Sequence, residues 1–82
     1  MMNNTVIAAI NRVKTFETVK VEGRPVGVRT GSRFLMTVRR FGEENPFHVF
    51  ETMDTVHDAE LALAAYVEHE GLDLRSLIYD LS

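Results

Sequence analysis

Apolar positions along the chain change period twice, and the changes divide it into three zones. Around residues 4–15, Val6, Ala9, Ile10, Val13 and Phe16 recur at spacings of three and four, which predicts an amphipathic helix. Asn3, Asn4 or Thr5 would cap it, and Arg12 and Lys14 would complement the dipole of its last turn. From 17 to 52 the period falls to two. Thr18-Val19-Lys20-Val21 and Val26-Gly27-Val28-Arg29 alternate, with Gly23-Arg24-Pro25 and Thr30-Gly31-Ser32 as turn signals. Residues 34–41 form the longest predicted strand. A polar loop, Gly42-Glu43-Glu44-Asn45-Pro46, separates it from a fourth strand over 47–52.

The last third returns to helical spacing. Asp54 or Thr55 caps a helix whose buried stripe is Val56, Ala59, Leu63, Tyr66 and Val67, and Thr55 with Asp58 has capping-box spacing. Gly71 stops it. Leu72-Asp73 resembles a staple and cap for a short final helix carrying Leu74, Leu77, Ile78 and Leu81. The expected fold is therefore α+β: a four-stranded antiparallel meander with an N-terminal helix and two C-terminal helices, in the order α-β-β-β-β-α-α, as a single domain over residues 1–82.

One feature of the strands strains that expectation. A sheet with one wet face carries apolar groups in one phase. Phe34, Met36 and Val38 share a phase, yet Leu35 and Phe41 occupy the other, and Phe50 opposes Phe47 and Val49. The second face needs a cover: the first helix, a second copy of the chain, or another protein.

Composition narrows the classes. Eighty-two residues make one domain with a thin stability margin. The absence of cysteine excludes disulfides and thiolate metal sites, so added stability must come from packing or self-association, and a homodimer is an expected possibility. Met1-Met2-Asn3-Asn4 lacks a basic n-region and no apolar run approaches the roughly 20 residues that span a bilayer, which predicts a cytoplasmic protein without a membrane partner. Net charge is −3, but residues 1–42 carry eight bases and two acids, and residues 43–82 one base and ten acids. Attraction between the halves, within the fold or across a dimer, is one explanation. A charged partner is the other.

Chemistry-bearing residues are sparse. His48, His57 and His69 are at least nine residues apart and lack metal-ligand spacing, so no metal or cofactor is expected. Ser32, Ser76 and Ser82 lack a nucleophile elbow, the Glu43-Glu44 pair lies in a polar loop, and Gly27, Gly31 and Gly42 do not lead into a helix as phosphate loops do. No catalytic residue is assigned. Arg24, Arg29, Arg33, Arg39 and Arg40 cluster on the strands near Phe41, an arrangement suited to phosphates and stacked bases. The element order overlaps that of double-stranded-RNA-binding domains, but their basic second-helix start is replaced here by Asp54, Asp58 and Glu60.

The acids suggest a different partner. Asp54, Asp58, Glu60, Glu68 and Glu70 decorate one predicted helix and its flank, suited to a basic groove on a protein that handles nucleic acid. Leu35, Arg39, Phe41 and Phe50 mark the second hairpin face as a partner or dimer surface. The expected function is a non-catalytic protein-binding module, such as a phage- or mobile-element-encoded inhibitor of a host enzyme. Many anti-CRISPR proteins are similar in size, acidity and lack of motifs, a likeness of type that carries no residues over. The alternative is a nucleic-acid-binding or regulatory protein using the arginine-rich strands.

Overall fold

A computed structural model describes residues 4–82. Asn3, one of the three cap candidates, lies outside the described residues. Two long strands dominate the molecule: β1 (Thr5–Val21) and β2 (Arg24–Arg40), each of 17 residues. A short β3 (Pro46–Val49), one helix α1 (Val56–Glu70) and β4 (Asp73–Asp80) complete it. The sheet order is β3-β2-β1-β4. β1 pairs antiparallel with β2 and parallel with β4, and β2 pairs antiparallel with β3, so the sheet is mixed.

The antiparallel meander with three helices is therefore corrected at both ends. The segment predicted as helix, residues 4–15, is strand from Thr5 onward. Thr5, Val6 and Ile7 are β-branched, and residues 5–10 find hydrogen-bonded partners on both sides, β2 and β4, which a helix would forgo. The final helix is also strand: residues 73–80 return beside β1, and Asp73 donates its backbone N–H to the Asn4 carbonyl at 2.8 Å. Leu72 is half-buried against the core rather than stapling a helix. Among the predicted turns, Gly23-Arg24-Pro25 shifts to Glu22-Gly23. Both residues have positive φ, 53° and 79°, the pattern of a two-residue type I′ hairpin. Thr30-Gly31-Ser32 is no turn. Thr30 is an extra residue within β2, between Gly31 (opposite Thr15) and Arg29 (opposite Phe16).

The helix is where the spacing places it. Thr55 is its N-cap, its hydroxyl accepting from the Asp58 N–H at 3.0 Å, and Gly71 takes the left-handed C-cap at φ 66°. α1 carries the chain from the β3 edge to the β4 edge, lying across β2 and β1. Residues directly opposite in an antiparallel pair share a face. Val6, Ala8 and Ile10 with Val38 and Met36 thus form one surface, and all five are fully buried beneath Ala59 and Leu63. Phe34, Phe50, Val56, Tyr66, Leu74 and Leu77 ring them.

Burial ends at Ile10 and Met36, well short of the hairpin tip. Beyond it β1 and β2 continue as a bare two-stranded arm, about 33 Å for residues 12–21 at ~3.3 Å per residue. The molecule measures 61 × 23 × 20 Å, and its radius of gyration is 16.4 Å, against about 12 Å for a compact chain of this length.

Two predictions follow from this distribution. Leu63→Ala removes the helix's main anchor and should cost about 2–5 kcal/mol in urea unfolding, enough to leave a domain this small barely folded. Glu22→Asn suits the left-handed turn position better than glutamate and should stabilise the hairpin by up to about 1 kcal/mol, read as slower amide exchange near the tip.

Candidate functional site

The arm's register decides what each of its faces carries. β1 alternates without interruption, so Arg12, Lys14, Phe16, Thr18 and Lys20 point to the side on which α1 packs further down. Their partners are Phe34, Ser32, Arg29, Gly27 and Pro25. This side holds Arg12, Lys14, Lys20 and Arg29 and contains no acid. Phe16 stands among them, 64% exposed. The Arg12 guanidinium lies 5.9 Å from the centre of the Phe34 ring, and Arg29 donates to the Ser32 hydroxyl at 3.2 Å. The opposite side carries Val13, Glu17, Val19 and Val21 from β1, and Arg33, Val28, Val26 and Arg24 from β2. Its five valines alternate with Thr15, Gly31 and the charged Glu17, Arg24 and Arg33.

Charge is divided along the molecule as well as across the arm. Residues 12–32 hold five bases and two acids, a net +3, which leaves −6 for the rest. The contrast between the sequence halves is therefore a contrast between a basic arm and an acidic body.

The predicted arginine group does not form one patch. Arg29 joins the basic side. Arg24 lies at the tip on the opposite side. Arg33 is turned to the body, donating to the Thr52 hydroxyl (2.9 Å) and carbonyl (2.8 Å) and pairing with Asp54. Arg39 donates to the Glu43 carbonyl at 2.9 Å, and Arg40 sits 4.6 Å over the Phe47 ring. Arg12, Lys14, Phe16 and Lys20 were missed because a helix was expected through the first three. Their signal was present as a period of two among the charged positions.

The predicted acidic surface is partly absorbed by the fold. Asp54 pairs with Arg33, and Glu60 accepts from the Tyr79 hydroxyl at 2.6 Å. That bond, with lesser contributions from burial and the Glu60 charge, raises the Tyr79 pKa. Asp58, Glu68 and Glu70 remain exposed on α1. The predicted hairpin surface also divides. Leu35 and Arg39 point away from α1, and the Arg75 guanidinium lies 4.4 Å from the centre of the Phe41 ring, which stays 46% exposed. Phe50 lies on the helix side, where it meets His48 (4.5 Å, edge-on) and Tyr66 (5.2 Å). His48 also stacks on Tyr66 at 4.5 Å. Burial raises the Tyr66 pKa, helped by Glu70 and opposed by Arg40.

The first helix, once a candidate cover for the second sheet face, is itself part of the sheet. That side is unevenly exposed: Ile7 is buried, at 9% exposure, and Ala9, Leu35 and Thr37 are half-buried. Val49 and Ile78 are 55% and 45% exposed. The described residues form no pocket and no metal-binding group of three His, Asp or Glu, and none of their helices is long and apolar enough to cross a membrane. No family model, curated protein or solved structure matches the chain.

Proposed function

We propose that the chain binds duplex nucleic acid through the basic side of its β-arm, without catalysis and in the cytoplasm. One observation carries the reading: Arg12, Lys14, Lys20 and Arg29 share one side of a projecting two-stranded ribbon, with exposed Phe16 in their midst. A two-stranded ribbon fits the roughly 12 Å major groove, and cations along it neutralise phosphates. Compact acidic proteins bind nucleic acid poorly because their whole surface repels it. Here the arm holds its cations well away from the −6 body, so a duplex meets positive charge first. Its length of about 33 Å matches about ten base pairs at ~3.4 Å each.

In gel shifts, a 12–14 base-pair duplex should bind at low salt, with log K falling against log salt at a slope near −4 for four contacts. Lys14→Ala with Arg29→Ala should reduce that slope by about two, whereas Arg39→Ala, on the other side, should leave it unchanged. No binding at 50 mM salt, or binding indifferent to the arm substitutions, would sink the reading.

A protein partner is the second reading, favoured by the exposed Asp58, Glu68 and Glu70 on α1. An acidic helix of this kind suits a basic groove, as an inhibitor of a nucleic-acid-handling host enzyme would require. The two readings diverge on charge reversal. Asp58→Lys with Glu68→Lys should strengthen duplex binding severalfold under the first and abolish capture of a basic partner under the second.

A further inference from the structure

Neutralising phosphates explains the cations of the arm but gives Phe16 nothing to do. Lys14 and Thr18 flank it on β1, and Arg29 stands directly opposite on β2. Its ring is 64% exposed. Phe34, also on this side, is half-buried and has the Arg12 guanidinium over it. Among the described residues Phe16 has no ring or guanidinium partner. A large apolar ring held in water gains by meeting an apolar group. Here that group must lie within whatever anionic surface draws the cations.

The residue pair next to Phe16, toward the tip, is Thr18 and Gly27. Glycine weakens a strand interior, and it often marks a place where a ligand approaches closely. The fold does not ask for glycine at 27. Its φ is outside the left-handed region, and an added Cβ would meet nothing within 4 Å. That Cβ would stand on the basic side, beside the Phe16 ring. The missing side chain therefore leaves clearance where the ring is.

We infer, resting on the duplex reading above, that the arm takes B-form DNA, with Phe16 on the floor of the major groove against a thymine methyl. Three features of the groove select that occupant. It admits a two-stranded ribbon, and the only apolar group among its base edges is the C5 methyl of thymine. The minor groove offers no such group. Duplex RNA has uracil in place of thymine, and its major groove is too deep and narrow for side chains to read. Arg12, Lys14, Lys20 and Arg29 hold phosphates around the ring, and the small Thr18–Gly27 pair lets the ribbon seat deeply enough for contact.

A 14-base-pair duplex with alternating thymine and guanine on one strand offers a methyl in every register. Gel shifts at 50 mM salt should show binding weakened about fourfold when deoxyuridine replaces thymine, the factor for one buried methyl. The matching RNA duplex should bind at least tenfold more weakly. Phe16→Ala should bind the thymine and deoxyuridine duplexes equally, with the salt slope kept near −4 because no phosphate contact is lost. Phe16→Leu, still apolar, should keep the thymine preference. Gly27→Val should weaken DNA binding at least threefold while slowing amide exchange in the hairpin, since valine favours strands. Gly31→Val, on the other side, should leave DNA binding unchanged.

RNA bound as tightly as DNA overturns the inference, as does equal binding of the two DNA duplexes by the unaltered chain. So does a thymine preference that survives Phe16→Ala, or a single strand that binds more tightly than the duplex, which would make Phe16 a stacking platform. In each of these cases a salt slope that still responds to Lys14→Ala with Arg29→Ala leaves nucleic-acid binding standing. Absence of binding to any duplex sinks both.

Discussion

Everything in this molecule depends on a single helix covering one side of a sheet. Ala59 and Leu63 close over Val6, Ala8, Ile10, Met36 and Val38, and these seven residues are the buried cluster on which the rest is assembled. Each large aliphatic member contributes about 1.5–3 kcal/mol by leaving water. The cluster fixes strand register, because a slip of one residue would turn Val6, Ala8 and Ile10 outward. That register propagates along seventeen-residue strands into regions with no core of their own. The sidedness of the arm is thus set at a distance, by packing that ends at Ile10.

This has an energetic corollary. Strand pairing beyond Ile10 rests on backbone hydrogen bonds, cross-strand contacts such as Thr15 to Thr30 at 3.0 Å, and the Glu22-Gly23 turn. Such segments open locally at low free energy. The junction is better secured: Arg33 reaches Thr52 and Asp54, and the Phe34 and Met53 backbones exchange hydrogen bonds at 2.8 and 2.9 Å. These contacts tie the root of the arm to the loop that leads into α1. The root is consequently stiffer than the tip.

Legibility in the sequence followed the locality of the signals. Thr55, Gly71 and the stripe between them act within one helix, and their reading agrees with the structure. The two terminal segments were misread for a common reason. Val6, Ala9, Ile10, Val13 and Phe16 satisfy helical spacing, while Val6, Ala8 and Ile10 satisfy strand spacing equally well. The choice is made by β2 and β4, which are remote in sequence. At the C-terminus a bulge mimics a helix. Arg75 is an extra residue between Leu74, opposite Val6, and Ser76, opposite Ile7, so Leu74 and Leu77 reach the same side although three residues apart. The basic side of the arm went unread with the first segment, since alternating Arg12, Lys14 and Phe16 mean nothing on a helix. The two-phase hydrophobicity of residues 34–50 has its structural counterpart in a second sheet face where Leu35 is half-buried and Val49 exposed.

The extra residue Thr30 reverses the numbering parity of β2. On the body side of it, even positions such as Phe34, Met36 and Val38 face the helix. On the arm side, odd positions such as Arg29 and Gly27 take that side. If Thr30 were deleted, Gly31 and Arg29 would become neighbours in plain alternation, still opposite Thr15 and Phe16. Every residue would keep its face. What would be lost is the added coil that a bulge gives a ribbon. Thr30 therefore does not encode sidedness at all. It changes the twist part-way along the arm, between Thr15 and Phe16, and with it the direction in which Lys20 and Arg29 are presented relative to Arg12 and Lys14.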